Sequence, residues 1–526
     1  MNQRTRTFNS KRNIIVGLTL AVVSTIIAFV VRTIFIKTLG DDLLGVNSLF
    51  VEVISIMSLA ELGFGMAIIY KLYAPIRDND QDKIAQYMNL YKKIYYIVAG
   101  VFVLIGAAMV PFVHLLVKDV EIDVWYLRLV FGMFVIQTAA SYLLSYKSSL
   151  LIADQKNFII SIFTFIAKTI CAGAAIALLL LTKNYIVYLG VQIAQAIMIN
   201  LSIAIYVNKK YPFLRTKNRL SKEEKKATFK DVGNIFIKRL SGVVTSSTDN
   251  VLISTLVSTV LVGFYSNYVM IFSVVRLIKR EMTSGVGASI GNLSVTADAD
   301  KNIQVLKRLT FIYFVFASIM CAGLMALSSL FVGQWLGVDH QLSIEIVYIA
   351  IFVLFLEIVC EPLWQYLEVS GLFSLDKYIG IIGSVVNLIV SIILGLYIGI
   401  AGIFIGTICT QVIQITLKIF LIFKKKYFKS PGRYFLVWGK ALLGYAAIVA
   451  VSFFLIEKIN FANFYLTFFT RGFAALFLGI AASLLPFICT DEIKYTFSFM
   501  NRIFHKKPKT EEATNETQSD SSDNNV

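Results

Sequence analysis

The sequence predicts an all-α, polytopic membrane protein of about fourteen transmembrane helices, and three observations carry that prediction. The 526 residues are 57% hydrophobic and 15% charged, with a mean hydropathy of +0.74. Soluble domains carry about 25% charged residues, so this much apolar side chain exceeds what a water-soluble core of this length buries. The apolar residues also lie in continuous stretches of about 20 or more, the length at which a helix crosses a bilayer. A closed barrel would need short alternating segments instead. Finally, Lys and Arg gather in alternate loops, the bias of a chain threaded repeatedly through a membrane.

The spans run over 14–39, 44–70, 92–117, 124–150, 157–182 and 184–208. After a basic loop they resume at 233–256, 260–283, 306–332, 342–370, 374–397 and 400–423, with two more at 434–456 and 464–488. The first span follows Arg4, Arg6, Lys11 and Arg12, as a signal peptide would. Its apolar core is longer than an h-region of about 7–15 residues and no small-x-small site follows, so it reads as a retained helix. One set of loops holds Lys92, Lys93, Lys147, Lys156, the run from Lys209 to Lys230, and Lys424 to Lys426. The other holds Asp41, Asp42, Asp119, Asp123, Lys183, Asp339 and Glu457. The positive-inside rule places the first set, and both termini, in the cytoplasm.

These spans divide into an N-terminal six-helix lobe (1–208), a basic cytoplasmic linker (209–232), a C-terminal six-helix lobe (233–424) and two additional helices (434–488). The remaining tail (489–526) is too polar to bury a core and is expected to be mostly disordered. An internal repeat supports the two lobes. "TLGDDLLGVNSLFVEVIS" from Thr38 parallels "TLVSTVLVGFYSNYVMIFS" from Thr255, setting Gly45 against Gly263 and Ser48 against Ser266. Lys156 in "DQKNFII" likewise meets Lys377 in "SLDKYIGI". Six spans per lobe is an even number, so the lobes run parallel about an axis along the membrane normal.

Several functions are excluded. The net charge of +17 is distributed by topology, not as a phosphate-binding patch, so no nucleic-acid partner is expected. "GKALLG" at 439–444 lacks the Walker pattern. The three His and five Cys show no metal-ligand spacing, so no metal or other cofactor is expected.

What stands out is charge inside the spans. An ionised side chain at the bilayer centre costs roughly 2.5–3.5 kcal/mol on insertion scales, so it faces a cavity or a partner. The chain carries Arg32, Glu61, Lys168, Lys238, Asp249, Arg276, Glu357 and Glu361 at such positions. Lys238, Thr245 and Asp249 share one helical face as a polar stripe, and Glu357, Glu361 and Glu368 share another around Pro362. Glu52, half a turn out of phase with Glu61, is expected near the outer boundary, snorkelling to the interface. Tyr265, Tyr268 and Trp364 are candidate sugar-stacking rings.

The stretches "RTIFIKTLGDDLLGVNSLF", "STDNVLISTLVSTVLVGFYSNY" and "GLYIGIAGIFIGTICTQ" resemble the Wzx-type polysaccharide flippases, which move lipid-linked oligosaccharides. These belong to the multidrug/oligosaccharidyl-lipid/polysaccharide exporter superfamily. The resemblance implies two pseudo-symmetric six-helix lobes around a central cavity. It implies translocation of undecaprenyl-pyrophosphate-linked oligosaccharide from the inner to the outer leaflet of the bacterial cytoplasmic membrane by alternating access. The polyprenyl tail would stay in membrane lipid at a gap between the first and eighth helices. The product would feed a surface polysaccharide such as a capsule or exopolysaccharide, with the pathway's polymerase and glycosyltransferases as partners. In the related lipid II flippase an arginine late in the first helix contacts the pyrophosphate region. Arg32 in "FVVRTIFIKTLG" holds the matching place, with Thr33 where that flippase has aspartate.

Chemistry points the same way. A pyrophosphate in a low-dielectric cavity needs cations, and Arg32, Lys168 and Arg276 are the candidates. Glu61, Asp249, Glu357 and Glu361 are candidates for cavity ion pairs or for coupling to H+ or Na+. No covalent bond changes, so a transporter and not an enzyme is expected. The alternatives are a cation-coupled drug or metabolite antiporter of the same architecture, and a membrane polysaccharide polymerase, which the short outer loops disfavour.

Overall fold

The computed structural model describes residues 3–58, 64–216, 220–226, 228–229, 248–296, 298–369, 372–488 and 490–493. Among them every regular element is helical. The N-terminal helices are α1 (Gln3–Met57), α2 (Phe64–Arg77), α3 (Gln81–Met109), α4 (Val124–Ser145), α5 (Ser148–Ala153), α6 (Asn157–Thr182) and α7 (Tyr185–Lys210). Then come α8 (Thr259–Thr296), α9 (Ala299–Leu336), α10 (Ile344–Val359), α11 (Glu361–Val369), α12 (Phe373–Ile398), α13 (Ile400–Phe420), α14 (Gly432–Phe454) and α15 (Phe464–Leu484).

Twelve of the described helices are long and apolar enough to cross a membrane. α1 holds both the first predicted span and the start of the second. Its 55 residues break at Gly40, whose φ of 82° belongs to the region that a side chain disfavours. Most of the seventh predicted span lies outside the described residues. Its end, 248–257, closes in a π-turn before α8. With these two the chain is an all-α protein of about fourteen crossings.

Polar residues at the loop edges start the helices. The side chains of Asp80, Asp123 and Asp298 accept from Lys83 N, Tyr126 N and Lys301 N at the heads of α3, α4 and α9. Asn184 and Asn463 do the same for α7 and α15. Each such cap satisfies a backbone donor the helix cannot. Several helices differ from their predicted spans: α8 runs on to Thr296, α9 starts at Ala299, and the fourth span splits into α4 and α5. α3 begins at Gln81, eleven residues before the apolar run, because hydropathy marks only the membrane-buried part of a helix. The tenth span is not one helix: it breaks at Cys360 into α10 and α11, since Pro362 lacks the N–H that would continue the ladder.

Buried apolar residues form two cores. One runs from Phe35 to Leu220, the other from Leu252 to Ile493. α14 and α15 join the second core: Thr310 and Tyr434 share a 2.9 Å hydroxyl bond, and Phe487 packs on Phe311 and Phe314. Buried Arg471 on α15 pairs with Glu457 at 2.8 Å. The described part of the 209–232 segment lies on α3, where Glu224 pairs with Lys83 and Asn89 donates to the Thr216 carbonyl at 2.7 Å.

The two cores meet along α1 and α8, and the repeat meets itself there. Ser48 Oγ lies 3.0 Å from Ser266 Oγ. A Cβ added to Gly45 would strike the Thr259 carbonyl, and one on Gly263 would lie 3.0 Å from Gly45 N. Glycine at both repeat positions lets the two backbones touch. The contact continues at the lysine-poor end of the molecule. His340 Nε2 is 2.9 Å from Asp41 Oδ1. Lys118 donates its backbone N–H to Thr259 Oγ1 at 2.8 Å and its ammonium to the Leu256 carbonyl at 2.9 Å. That end of the molecule is sealed.

Candidate substrate cavity

Toward the lysine-rich end the helices diverge around a cavity of about 1090 Å³. α1 and α6 form one wall, α8 with α10 and α11 the other. Deeper in, a recess of about 310 Å³ lies between α1, α6 and α7. Ser24, Ala28, Lys168 and Met270 line both spaces, so the recess adjoins the cavity.

The recess holds Arg32 and Lys168 together. Arg32 donates to Asn267 Oδ1 at 3.0 Å and to Ser266 Oγ, both neutral groups across the lobe junction. Among the described residues no carboxylate pairs with Arg32, and Lys168 has no hydrogen bond or ion pair. Gln192, Gln195 and Asn47 complete the polar lining. Arg32 and Lys168 are thus two cations with no carboxylate partner among the described residues, lining one recess.

Arg276 is placed elsewhere. On the α8 wall its Nε is 3.0 Å from Glu357 Oε2. Lys279 bridges Glu357 at 2.9 Å and Glu361 at 3.2 Å. Glu357 and Glu361 are thus cavity ion pairs, and Arg276 is neutralised by Glu357. Lys279 escaped sequence reading, although it sits one turn after Arg276 and so faces the same two carboxylates.

Asp249 sits in a polar pocket between the 248–257 segment, α12 and α13. Thr407 Oγ1 donates to its Oδ2 at 2.7 Å, and Asn387 donates to Thr407 at 3.0 Å. No basic side chain reaches Asp249 among the described residues. Asn387 and Thr407 were not foreseen; each lies in an apolar span with nothing in its own helix to mark it. Glu52, expected at the interface, instead accepts from Asn250 at 3.2 Å, because α1 meets the other lobe there.

Glu61, Lys238 and Thr245 lie outside the described residues, as does most of the tail. None of the three candidate sugar-stacking rings lines the cavity or the recess. Tyr268 is 1% exposed, Tyr265 packs at a tilt against Phe404, and one face of Trp364, itself 36% exposed, carries the Lys418 ammonium 3.1 Å from its ring centre. Aromatic character alone does not separate a core ring from a cavity ring. Among the described residues no group of three or more His, Cys, Asp or Glu could hold a metal ion.

Two lobes in contact at one end and parted by a polar cavity at the other have the form of a transporter fold. The lipid II flippase MurJ in its inward closed conformation superposes with a TM-score of 0.64 at 15% identity, over 92% of this chain and all of that one. An inward-facing multidrug resistance MATE family transporter of the MOP superfamily gives 0.58 at 14% identity, over 77% of this chain and 96% of the other. A point mutant of the Vibrio cholerae MATE transporter VcmN gives 0.54 at 14% identity, over 80% of this chain and 98% of that one. No curated protein sequence matches the chain. The sequence profile of the family described as "Polysaccharide biosynthesis protein" matches residues 10–286. The chain belongs to that family, as a multi-pass membrane protein with the fold of the MOP exporters.

Proposed function

We propose that this protein flips undecaprenyl-pyrophosphate-linked oligosaccharide from the inner to the outer leaflet of a bacterial cytoplasmic membrane. The observation that carries the reading is the pair Arg32 and Lys168, two cations with no carboxylate partner among the described residues, in a recess that adjoins the large cavity. Pyrophosphate is an anion that takes charge-assisted hydrogen bonds from guanidinium and ammonium groups. The lysine-rich end is the cytoplasmic one by the positive-inside rule, and both termini lie on that side. The cavity therefore faces the leaflet on which the lipid-linked sugar is made. The tail stays in lipid between α1 and α8, and the product serves surface polysaccharide assembly alongside the pathway's polymerase and glycosyltransferases.

Asp249 supplies the coupling site. A carboxylate beside Thr407 and Asn387, with no basic partner among the described residues, binds H+ or Na+ and ties the ion gradient to the cycle. The same site favours a second reading, a cation-coupled antiporter like the MATE transporters of this fold. The two readings part at Arg32 and Lys168, which an exporter of organic cations does not need. Binding of undecaprenyl pyrophosphate to purified protein tests this. Wild type binds, and Arg32→Ala and Lys168→Ala each bind at least tenfold more weakly, the scale of a lost charge-assisted bond. Equal binding by all three removes the anion site and leaves the antiporter reading.

A further inference from the structure

The two walls of the large cavity differ in kind. The α8 wall is charged but internally neutralised, with Arg276, Lys279, Glu357 and Glu361 paired among themselves. The α6 wall is polar and uncharged up to Lys168. Asn157, Ser161, Thr164 and Lys168 recur at helical spacing on one face of α6, and Ser24 lines the same wall from α1. Among the described residues, the Asn157 amide and the Thr164 and Ser24 hydroxyls have no hydrogen-bond partner. Ser161 Oγ reaches only the Asn157 carbonyl of its own helix, at 3.4 Å. Uncommitted polar groups at membrane depth serve a water-filled path or a ligand.

The direction of this face identifies the ligand. Its inner end is Lys168, which also lines the recess with Arg32. Its other end is Asn157, at the lysine-rich mouth. Eleven residues of helix separate them, about 16 Å. A pyrophosphate held at Arg32 and Lys168 leaves its attached sugars only the cavity to occupy. Hydroxyl and carboxamide side chains both donate and accept, as sugar hydroxyls and acetamido groups do.

We propose that the Asn157–Ser161–Thr164 face of α6, with Ser24, is the glycan subsite of the cavity, and that it takes uncharged sugars that follow the pyrophosphate. This rests on the flippase reading. The face sets how much of the head group is read: one sugar stays near Lys168, whereas a longer glycan lies along the whole face.

The test is transport in proteoliposomes of undecaprenyl pyrophosphate carrying one N-acetylglucosamine, a neutral trisaccharide, or a trisaccharide with one uronic acid. The proteins are wild type and the shape-conserving triple variant Asn157→Leu, Ser161→Ala, Thr164→Val, with thermal unfolding run in parallel to establish that the variant folds. The subsite predicts that the variant loses about tenfold or more on the neutral trisaccharide and less than twofold on the single sugar. Wild type moves the acidic trisaccharide more slowly than the neutral one. Equal losses on short and long head groups overturn the subsite, and so does no loss on either. Equal rates for acidic and neutral glycans overturn the preference for uncharged sugars. Wild type that moves none of the three lipids overturns the flippase reading, and the subsite with it.

Discussion

At the scale of single residues, function depends on which intramembrane charges are paired. Arg276 and Glu357 stand far apart in sequence and meet across the cavity wall, whereas Arg32 and Lys168 face neutral neighbours. Sequence reading found all four, because a charge in an apolar run is conspicuous. It could not sort them, since helical periodicity reports a residue's own face and never the helix opposite. The pairing predicts opposite phenotypes. Arg32→Lys keeps the charge but not the planar fork, and transport falls about tenfold. Arg276→Gln combined with Glu357→Gln removes a mutually neutralised pair and leaves transport within about threefold of wild type. Glu357→Gln alone leaves Arg276 and half of Lys279 uncompensated, and thermal unfolding of that variant occurs below that of the double variant.

Among the elements, the proposed transport cycle turns on the helix pair at the lobe junction. The repeat was legible because glycine and small hydroxyl residues recur at one offset. The structure adds the physical cause: those positions touch each other across the lobe junction. A seal built on Gly45 and Gly263 opens only if α1 and α8 separate. Ser48→Cys with Ser266→Cys should therefore form a disulfide on mild oxidation, stop transport, and recover it on reduction. Transport that continues while the pair is crosslinked would show that the junction does not open. The linker offers a smaller test. The Lys83 ammonium beside Glu224 holds that carboxyl below its ordinary value of 4.5. A depressed carboxyl stabilises above its ordinary value and loses that stabilisation as pH falls through the folded one. Amide exchange over 220–226, corrected for the intrinsic pH dependence of exchange, should thus be constant from pH 8 to 5 and rise as pH falls below the ordinary value of 4.5, by a small factor because the pair is only partly buried.

For the whole molecule, fold class and number of crossings followed from hydropathy, since the lipid demands continuous apolar helices. The break at Cys360, the early start of α3 and the Asp249 pocket did not follow. Each is decided by packing between helices or by backbone beyond the lipid. What emerges is two lobes closed on each other at the lysine-poor end and parted by a polar cavity at the other. On the proposed function this is one half of an alternating-access cycle, with the Arg32 and Lys168 recess at its deepest point. The most direct measurement is leaflet exchange in proteoliposomes. Undecaprenyl-pyrophosphate oligosaccharide is placed in one leaflet and its exposure to added glycosidase on the other side is followed, with a Na+ or H+ gradient imposed or absent. The expected result is protein-dependent exposure that a gradient accelerates, that Arg32→Ala with Lys168→Ala abolishes, and that Asp249→Asn renders indifferent to the gradient. Wild-type protein that leaves the oligosaccharide in its starting leaflet under every gradient, while exporting organic cations, would contradict the flippase reading.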